Sequence, residues 1–260
     1  MFKKVLLLIF ILLFVGTVFS IRLVEPISKE LNDNDFVGSI EPGQTLELII
    51  SKELGRFNSV ELTSDLPSFF NISIKDYLES VKIIIESNER TPRTNYFFSF
   101  NLKGKSSVKN VRVFFSVTDS LLDATLLNYS SSTNVNDPAN YDLLLINNSD
   151  ADAKFLLNVN LPWFWLSNNL DTENAGFVIV PKQQKIIQKL VVFPRVQGNH
   201  YFKVHLDLQT KNNSKEFTLY SNAKPTLASK FNSSLSGLPF YSISVLPSYF
   251  LNSVFSVLFN

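Results

Sequence analysis

Along much of the chain, apolar and polar residues alternate with a period of two. The cleanest stretch is Phe202, Val204, Leu206 and Leu208, separated by Lys203, His205, Asp207 and Gln209. Successive side chains of an extended chain point to opposite faces, so this spacing predicts a strand with one buried face and one wet face. Lys211, Asn212, Asn213 and Ser214 then supply turn chemistry before Phe217 and Leu219 resume the alternation, which predicts a hairpin. A hairpin of the same shape is expected upstream, from Tyr96 to Leu102, through Lys103, Gly104, Lys105 and Ser106, and back through Val111, Val113, Phe115 and Val117. Seven further short apolar runs are bounded by turn residues: Leu46 to Ile50, Val60 to Leu62, Val81 to Ile85, Leu143 to Ile146, Phe155 to Val159, Phe177 to Val180 and Ile186 to Phe193. Many short strands with no competing amphipathic helix predict an all-β sandwich or barrel.

The two hairpins suggest an internal duplication. Leu66-Pro67-Ser68-Phe69-Phe70 parallels Leu161-Pro162-Trp163-Phe164-Trp165 at an offset of 95 residues, and Tyr96-Phe97 parallels Tyr201-Phe202 at an offset of 105. The halves keep their order if about ten residues are inserted in the second, and a repeat near 100 residues is the size of one sandwich domain. Ser130 to Asn140 reads Ser-Ser-Ser-Thr-Asn-Val-Asn-Asp-Pro-Ala-Asn, a linker composition. The expectation is two tandem immunoglobulin-like sandwiches, one over 21–129 and one over 141–229, joined by a linker at 130–140.

The ends differ from this pattern. Lys3 and Lys4 precede an unbroken apolar stretch from Val5 to Val15, extended through Gly16, Thr17 and Val18 to Phe19. The run is about 15 residues, short of the roughly 20 of a spanning helix, and Arg22 follows it closely. Residues 1–20 therefore read as a signal peptide cleaved near Ser20, with an uncleaved anchor as the alternative; either way the remainder faces outward. At the other end no charged residue occurs from Phe231 to Asn260. After Pro247, the residues Phe250, Leu251, Val254, Phe255, Val257 and Leu258 would cover most of a helix, leaving Asn252, Ser253 and Ser256 as a narrow polar stripe. Such a helix of about 12 residues and about 18 Å is too short to cross a ~30 Å hydrocarbon core but suits the interface. Residues 230–260 are thus expected to be an apolar tail that meets membrane lipid through Phe250, Leu251, Val254, Phe255 and Leu258. The alternatives are a last element docked on the protein's own core and a removable lipid-anchor signal.

Composition narrows the function. The chain is 45% hydrophobic with 24 phenylalanines, enough for a core without staples, and its total absence of cysteine excludes disulfides, thiolate metal sites and cysteine nucleophiles. Lys and Arg total 24 against 23 for Asp and Glu, with no basic stripe, so nucleic acid is not an expected partner.

Few residues stand in a pattern that carries chemistry. His200 and His205 are five apart on one expected strand, so they face opposite ways and cannot chelate one metal together. Gly104-Lys105-Ser106 ends like a phosphate loop, but Ser99 stands where the first glycine is required, and the context is a hairpin. Asp33-Asn34-Asp35 with Gly38, and Asn147-Asn148-Ser149-Asp150-Ala151-Asp152, cluster oxygen ligands. The first has Val37 and Gln44 where calcium ligands are needed, and the second runs into Lys154, so both read as Asx-rich turns. Trp163 and Trp165 are two apart and share one strand face, where they serve either as a sugar-stacking platform or as core or inter-domain packing. Asn-x-Ser/Thr sequons stand at Asn71, Asn128, Asn147, Asn212 and Asn232, a number that chance supplies.

Glu41-Pro42-Gly43-Gln44-Thr45 followed by Leu46-Glu47-Leu48, the two Leu-Pro-aromatic segments, and Gly198-Asn199-His200-Tyr201-Phe202 after Phe193-Pro194 carry a resemblance. Over roughly Arg22 to Ser221 the chain resembles the immunoglobulin-like domains of exported archaeal and bacterial envelope proteins, a group that includes the domain found beside alpha-galactosidases. The first half departs from it in having Pro92-Arg93-Thr94-Asn95, without glycine, before Tyr96. The resemblance implies a non-catalytic surface module and carries over no binding residue. The expected function is a structural or interaction protein of the cell envelope, extracytoplasmic and held at the membrane, with no catalytic residue, cofactor or metal, and with envelope proteins or glycans as partners beside the lipid. The alternative is a carbohydrate-binding module using Trp163 and Trp165. An enzyme would require carboxylates such as Asp142, Asp150 and Glu173 to converge.

Overall fold

A computed structural model describes residues 21–55, 57–63, 66–105, 107–161, 166–167, 175–208 and 213–226. The chain divides into two compact units, Met1–Asp119 and Ser120–Asn260, and among the described residues each is all-β apart from one turn of helix in the first.

In the first unit, β1 (Arg22–Glu25), β2 (Lys29–Glu30), β3 (Asp35–Ile40), β4 (Thr45–Ser51), β5 (Phe57–Leu62), β6 (Phe70–Asp76), β7 (Ser80–Ser87), β8 (Asn95–Gly104) and β9 (Val108–Val117) follow one another, with α1 (Lys52–Gly55) between β4 and β5. They form two sheets, ordered β2-β1-β4-β7-β6 and β3-β9-β8-β5. Reading β1, β4, β5, β6, β7, β8 and β9 as strands A to G gives A-B-E-D against C-F-G, the immunoglobulin arrangement. Strand β3 adds to the G edge as a parallel neighbour of β9. The alternation seen in sequence is the reason: β4 buries Leu46, Leu48 and Ile50, and β8 buries Tyr96, Phe98, Phe100 and Leu102. The two sheets meet through aromatic rings. Phe70 of β6 lies 4.7 Å from Tyr96 and 5.3 Å from Phe115, both edge-on and both from the opposite sheet.

The second unit contains β10 (Leu122–Leu126), β11 (Ser130–Asn134), β12 (Ala139–Asn147), β13 (Ala153–Asn160), β14 (Leu166–Ser167), β15 (Ala175–Val180), β16 (Gln184–Phe193), β17 (Gly198–Leu208) and β18 (Ser214–Lys224). Its sheets are ordered β10-β12-β16-β14 and β11-β18-β17-β13-β15. The plan is again an A-B-E sheet facing C-F-G, with β15 added beside strand C and β11 parallel to β18. The core is mostly aliphatic, with Leu143, Leu145, Val180, Leu190, Val192, Val204 and Leu206 all at 1% exposure or less.

Two expectations are corrected. Residues 130–140 are not a linker, and the first domain does not run to 129. The units part between Asp119 and Ser120, β10 pairs with β12, and Ser130–Asn134 is an edge strand laid parallel to β18. A Ser-Ser-Ser-Thr-Asn strand buries none of its side chains and is held by its backbone ladder, so it leaves no apolar trace in the sequence. The turn that follows it repeats the first unit's. Gln44 N–H donates to Glu41 O at 3.1 Å with Gly43 at φ 84°, and Asp137 N–H donates to Asn134 O at 3.1 Å with Asn136 at φ 70°. Both turns need a left-handed third residue, and glycine and asparagine are the residues that accept it.

The two halves of the repeat are also out of phase on strand F. The two hairpins are equivalent, β8–β9 and β17–β18, but Tyr96-Phe97 and Tyr201-Phe202 do not superpose in facing. Tyr96 is buried and Phe97 is 46% exposed, whereas Tyr201 is 70% exposed and Phe202 is buried. An odd shift between strands exchanges every inward side chain for an outward one.

Candidate functional site

The outer face of the second unit's five-stranded sheet gathers exposed chemistry. The core takes Phe202, Val204, Leu206 and Leu208 of β17, which leaves Tyr201, Lys203, His205 and Asp207 on the outer side. Strand register arranges the neighbours into rows. Tyr201 lies beside Tyr220 of β18 and, beyond it, Ser130 of β11. The next row is Asn160, Lys203 and Thr218, the third is Asn158, His205 and Glu216, and the fourth sets Leu156 between Phe177 and Asp207. Rows two residues apart are separated by roughly 6.6 to 6.8 Å.

Local contacts hold this face in place. The Tyr201 and Tyr220 rings are 5.1 Å apart at 46°, and the Tyr220 hydroxyl donates to Asn199 Oδ1 at 2.7 Å. Lys203 Nζ donates to Glu216 Oε1 at 2.7 Å, and this bond, more than the charge of Lys203, holds the Glu216 carboxyl below the usual carboxylate range. His205 Nε2 lies 3.1 Å from Asp207 Oδ1. Lys203 and Glu216 thus neutralise one another, and the Asp207 carboxylate faces an imidazole. Asn158, Asn160, Leu161, Lys203, His205 and Glu216 line a groove of about 420 Å³, within the size range of small-ligand clefts. At the far edge Lys154 Nζ stands 4.6 Å from the Phe177 ring centre.

The corresponding face of the first unit is built differently. Phe97 packs on Phe114 at 5.3 Å and under the Arg112 guanidinium at 4.8 Å, while Lys103 pairs with Glu61.

The residues singled out in sequence have mostly structural roles where they are described. His205 points outward while His200 lies on the opposite parity of β17, its Nε2 2.9 Å from Val196 O, so the spacing argument holds. In the first Asx cluster, Asp33 Oδ1 accepts from Arg112 N–H at 2.9 Å, Asp35 Oδ2 accepts from Asn32 N–H at 2.9 Å, and Asn34 takes φ 62°. In the second, fully buried Asn147 donates through Nδ2 to the carbonyls of Ala151, Val180 and Pro181 at 2.8, 3.0 and 3.1 Å. Its Oδ1 accepts from Ser149 N–H and Oγ, so the loop is an Asx turn locked to the β15–β16 connection. The same burial removes Asn147 from the accessible sequons. Asp150 Oδ1 accepts from Gln183 Nε2 at 3.1 Å. Among the described residues, no three His, Asp or Glu side chains are grouped to hold a metal ion, and no helix is long and apolar enough to cross a membrane.

Residues 1–20, expected to be a signal peptide, together with Trp163, Trp165, Glu173 and the tail residues Phe250, Leu251, Val254, Phe255 and Leu258, lie outside the described residues. The outer-face set of Tyr201, Tyr220, Asn158, Asn160 and Glu216 escaped the sequence reading. Its signal was present as the polar half of the alternation that identified the hairpin.

No protein-family model and no curated protein matches this chain. Solved structures with a similar strand layout include a chimeric titin Z1Z2, at 8% identity over 79% of this chain and 97% of that one, with a TM-score of 0.43. The adhesin InvE of Yersinia pseudotuberculosis aligns at 10% identity over 80% of this chain and 60% of its own, with a TM-score of 0.33. The titin tandem A164-A165 aligns at 7% identity over 80% and 98%, with a TM-score of 0.28. Overlaps this loose add nothing to the assignment, which rests on the strand order itself.

Proposed function

We propose that the chain is an exported, non-catalytic interaction protein of the cell envelope, that its outward-facing partner surface is the outer face of β18, β17 and β13, and that residues 230–260 hold it at the membrane. The carrying observation is the row structure of that face. Tyr201 and Tyr220, Asn158 and Asn160, Thr218 and Ser130 stand in register on one sheet, with Lys203 paired to Glu216 among them. Tyr, Ser and Asn are the residue types that binding surfaces favour, because a tyrosine supplies area at little entropic cost and the short polar side chains adapt their hydrogen bonds. Rigid strands also hold such groups more exactly placed than loops do. The basic start, the apolar run from Val5 to Phe19 and the uncharged stretch from Phe231 support the location.

Fractionation of the source cells tests the reading. The full chain is expected in the envelope fraction, and a chain ending at Lys230 is expected to leave the membrane with its β circular dichroism and melting temperature intact. Recovery of the full chain from the cytosol alone, or unfolding of the shortened chain, overturns it.

A further inference from the structure

We infer that the groove on the outer face of β13, β17 and β18 binds a neutral saccharide chain, with Tyr201 as the stacking ring and Asn158, Asn160 and Glu216 as partners for its hydroxyls. The inference rests on the proposed reading of this face as the contact surface and names the chemical class that fits it.

Charge balance comes first. Lys203 is paired with Glu216, the carboxylate of the groove's lining, so the groove offers neither a bare lysine to draw a phosphate or an acidic peptide nor a bare carboxylate to draw a cation. Hydrogen-bond capacity comes second. Asn158 and Asn160 are exposed, and a side-chain amide both donates and accepts, as does the hydroxyl of Thr218 beside Lys203. A ligand that itself donates and accepts at each group, as a sugar hydroxyl does, satisfies such a lining whichever way each amide is turned. Shape comes third. The groove of about 420 Å³ opens on the row next to Tyr201, whose 70% exposed ring is steadied by contact with Tyr220. A sugar has an apolar face for that ring and polar edges for the amides, which matches the sequence of rows from aromatic to polar. A protein partner is the weaker match, because its binding energy concentrates in desolvated aromatic or arginine anchors near the centre of a contact, and the centre here is polar.

The test uses the full chain, immobilised and exposed to neutral oligomers of glucose, mannose, galactose and N-acetylglucosamine, alongside Tyr201→Ala, Asn160→Ala and, as a control at an exposed position of the first unit, Lys109→Ala. Binding to at least one oligomer that weakens about tenfold in Tyr201→Ala and in Asn160→Ala, with Lys109→Ala unchanged, supports the inference. All three positions are exposed, and unchanged melting temperatures confirm that the variants fold. Binding that ignores both outer-face variants overturns the site. If no neutral oligomer binds, the saccharide inference fails; the contact surface still stands if Tyr201→Ala releases a protein partner from the envelope fraction, and falls with it if no partner is lost.

Discussion

In the first unit a phenol on strand F closes the corner that precedes it: Tyr96 donates to Pro92 O at 2.8 Å, four residues upstream, and its ring sits in a cluster with Phe69, Phe70 and Phe115. In the second unit the equivalent strand puts its tyrosine outside, and the buried phenol comes from strand B, where Tyr141 donates across to Tyr220 O in the facing sheet at 2.9 Å. The link from strand B to strand C differs as well. The first unit uses the single helical turn α1, with Lys52 Nζ bonded to Asp76 and to Tyr77 O, while the second uses the buried Asn147 and Ser149 network. Two sandwiches can share a strand order while using unrelated anchors, because the alternation of buried residues and the backbone ladders define the sheets. The anchors then differ in chemistry, and so do their failure modes.

The largest expected loss is in the aromatic core. Phe98→Ala removes a 1% exposed ring stacked near Phe100 and Phe115 and should destabilise the first unit by about 3–5 kcal/mol. Both tryptophans belong to the second unit's stretch of chain, so their fluorescence reports that unit while circular dichroism reports both. The dichroism transition should move and the tryptophan transition should stay; a joint shift would show that the two units unfold as one body.

Next is Asn147→Ala, which removes the amide that donates to the Val180 and Pro181 carbonyls and the oxygen that accepts from Ser149 N–H. A cost of about 3 kcal/mol is expected, this time in tryptophan-detected urea unfolding. A change near zero would mean that water replaces the amide and that the network does not anchor the loop.

Tyr141→Phe is smaller, about 1 kcal/mol for one hydrogen bond. It carries a pH signature. Burial pushes the Tyr141 phenol up to about 12, against a weaker opposing effect of Ser221, so the folded state keeps a proton that the unfolded chain releases near pH 10. Its stabilisation is therefore complete below pH 10 and is lost as the pH rises toward 12. The second unit should lose stability across that window, and Tyr141→Phe should flatten the loss; equal alkaline slopes in both proteins would contradict the burial argument.

Smallest is Glu216→Gln. This pair is exposed to solvent on both sides, so no change in melting temperature is expected at neutral pH, and a measurable drop would mean that the pair with Lys203 supports the sheet.

The alternation around Phe202 to Leu208 and Tyr96 to Leu102 located both hairpins and both central strands, because burial on one face writes itself into side-chain chemistry. Ser130–Asn134 has a linker's composition because an edge strand needs only its N–H and C=O groups, which every residue but proline carries. The facing of Tyr96 and Tyr201 was likewise hidden, since sequence similarity aligns residues one by one while a strand distinguishes odd from even. The candidate site was half legible. Asn158, Lys203 and Glu216 stand at polar positions of recognisable strands, but only the register that joins β13 to β17 and β17 to β18 brings them into rows.

The central claim is that the outer face of β13, β17 and β18 is where the molecule meets its partner. It is tested most directly by placing a photoreactive benzophenone side chain at Thr218, among the rows, and in a separate protein at Lys109, an exposed position near the start of β9 in the first unit. After illumination of intact source cells, the account predicts a discrete adduct in the envelope fraction from position 218 and none from position 109. Adducts of equal strength from both positions, or from 109 alone, would contradict it.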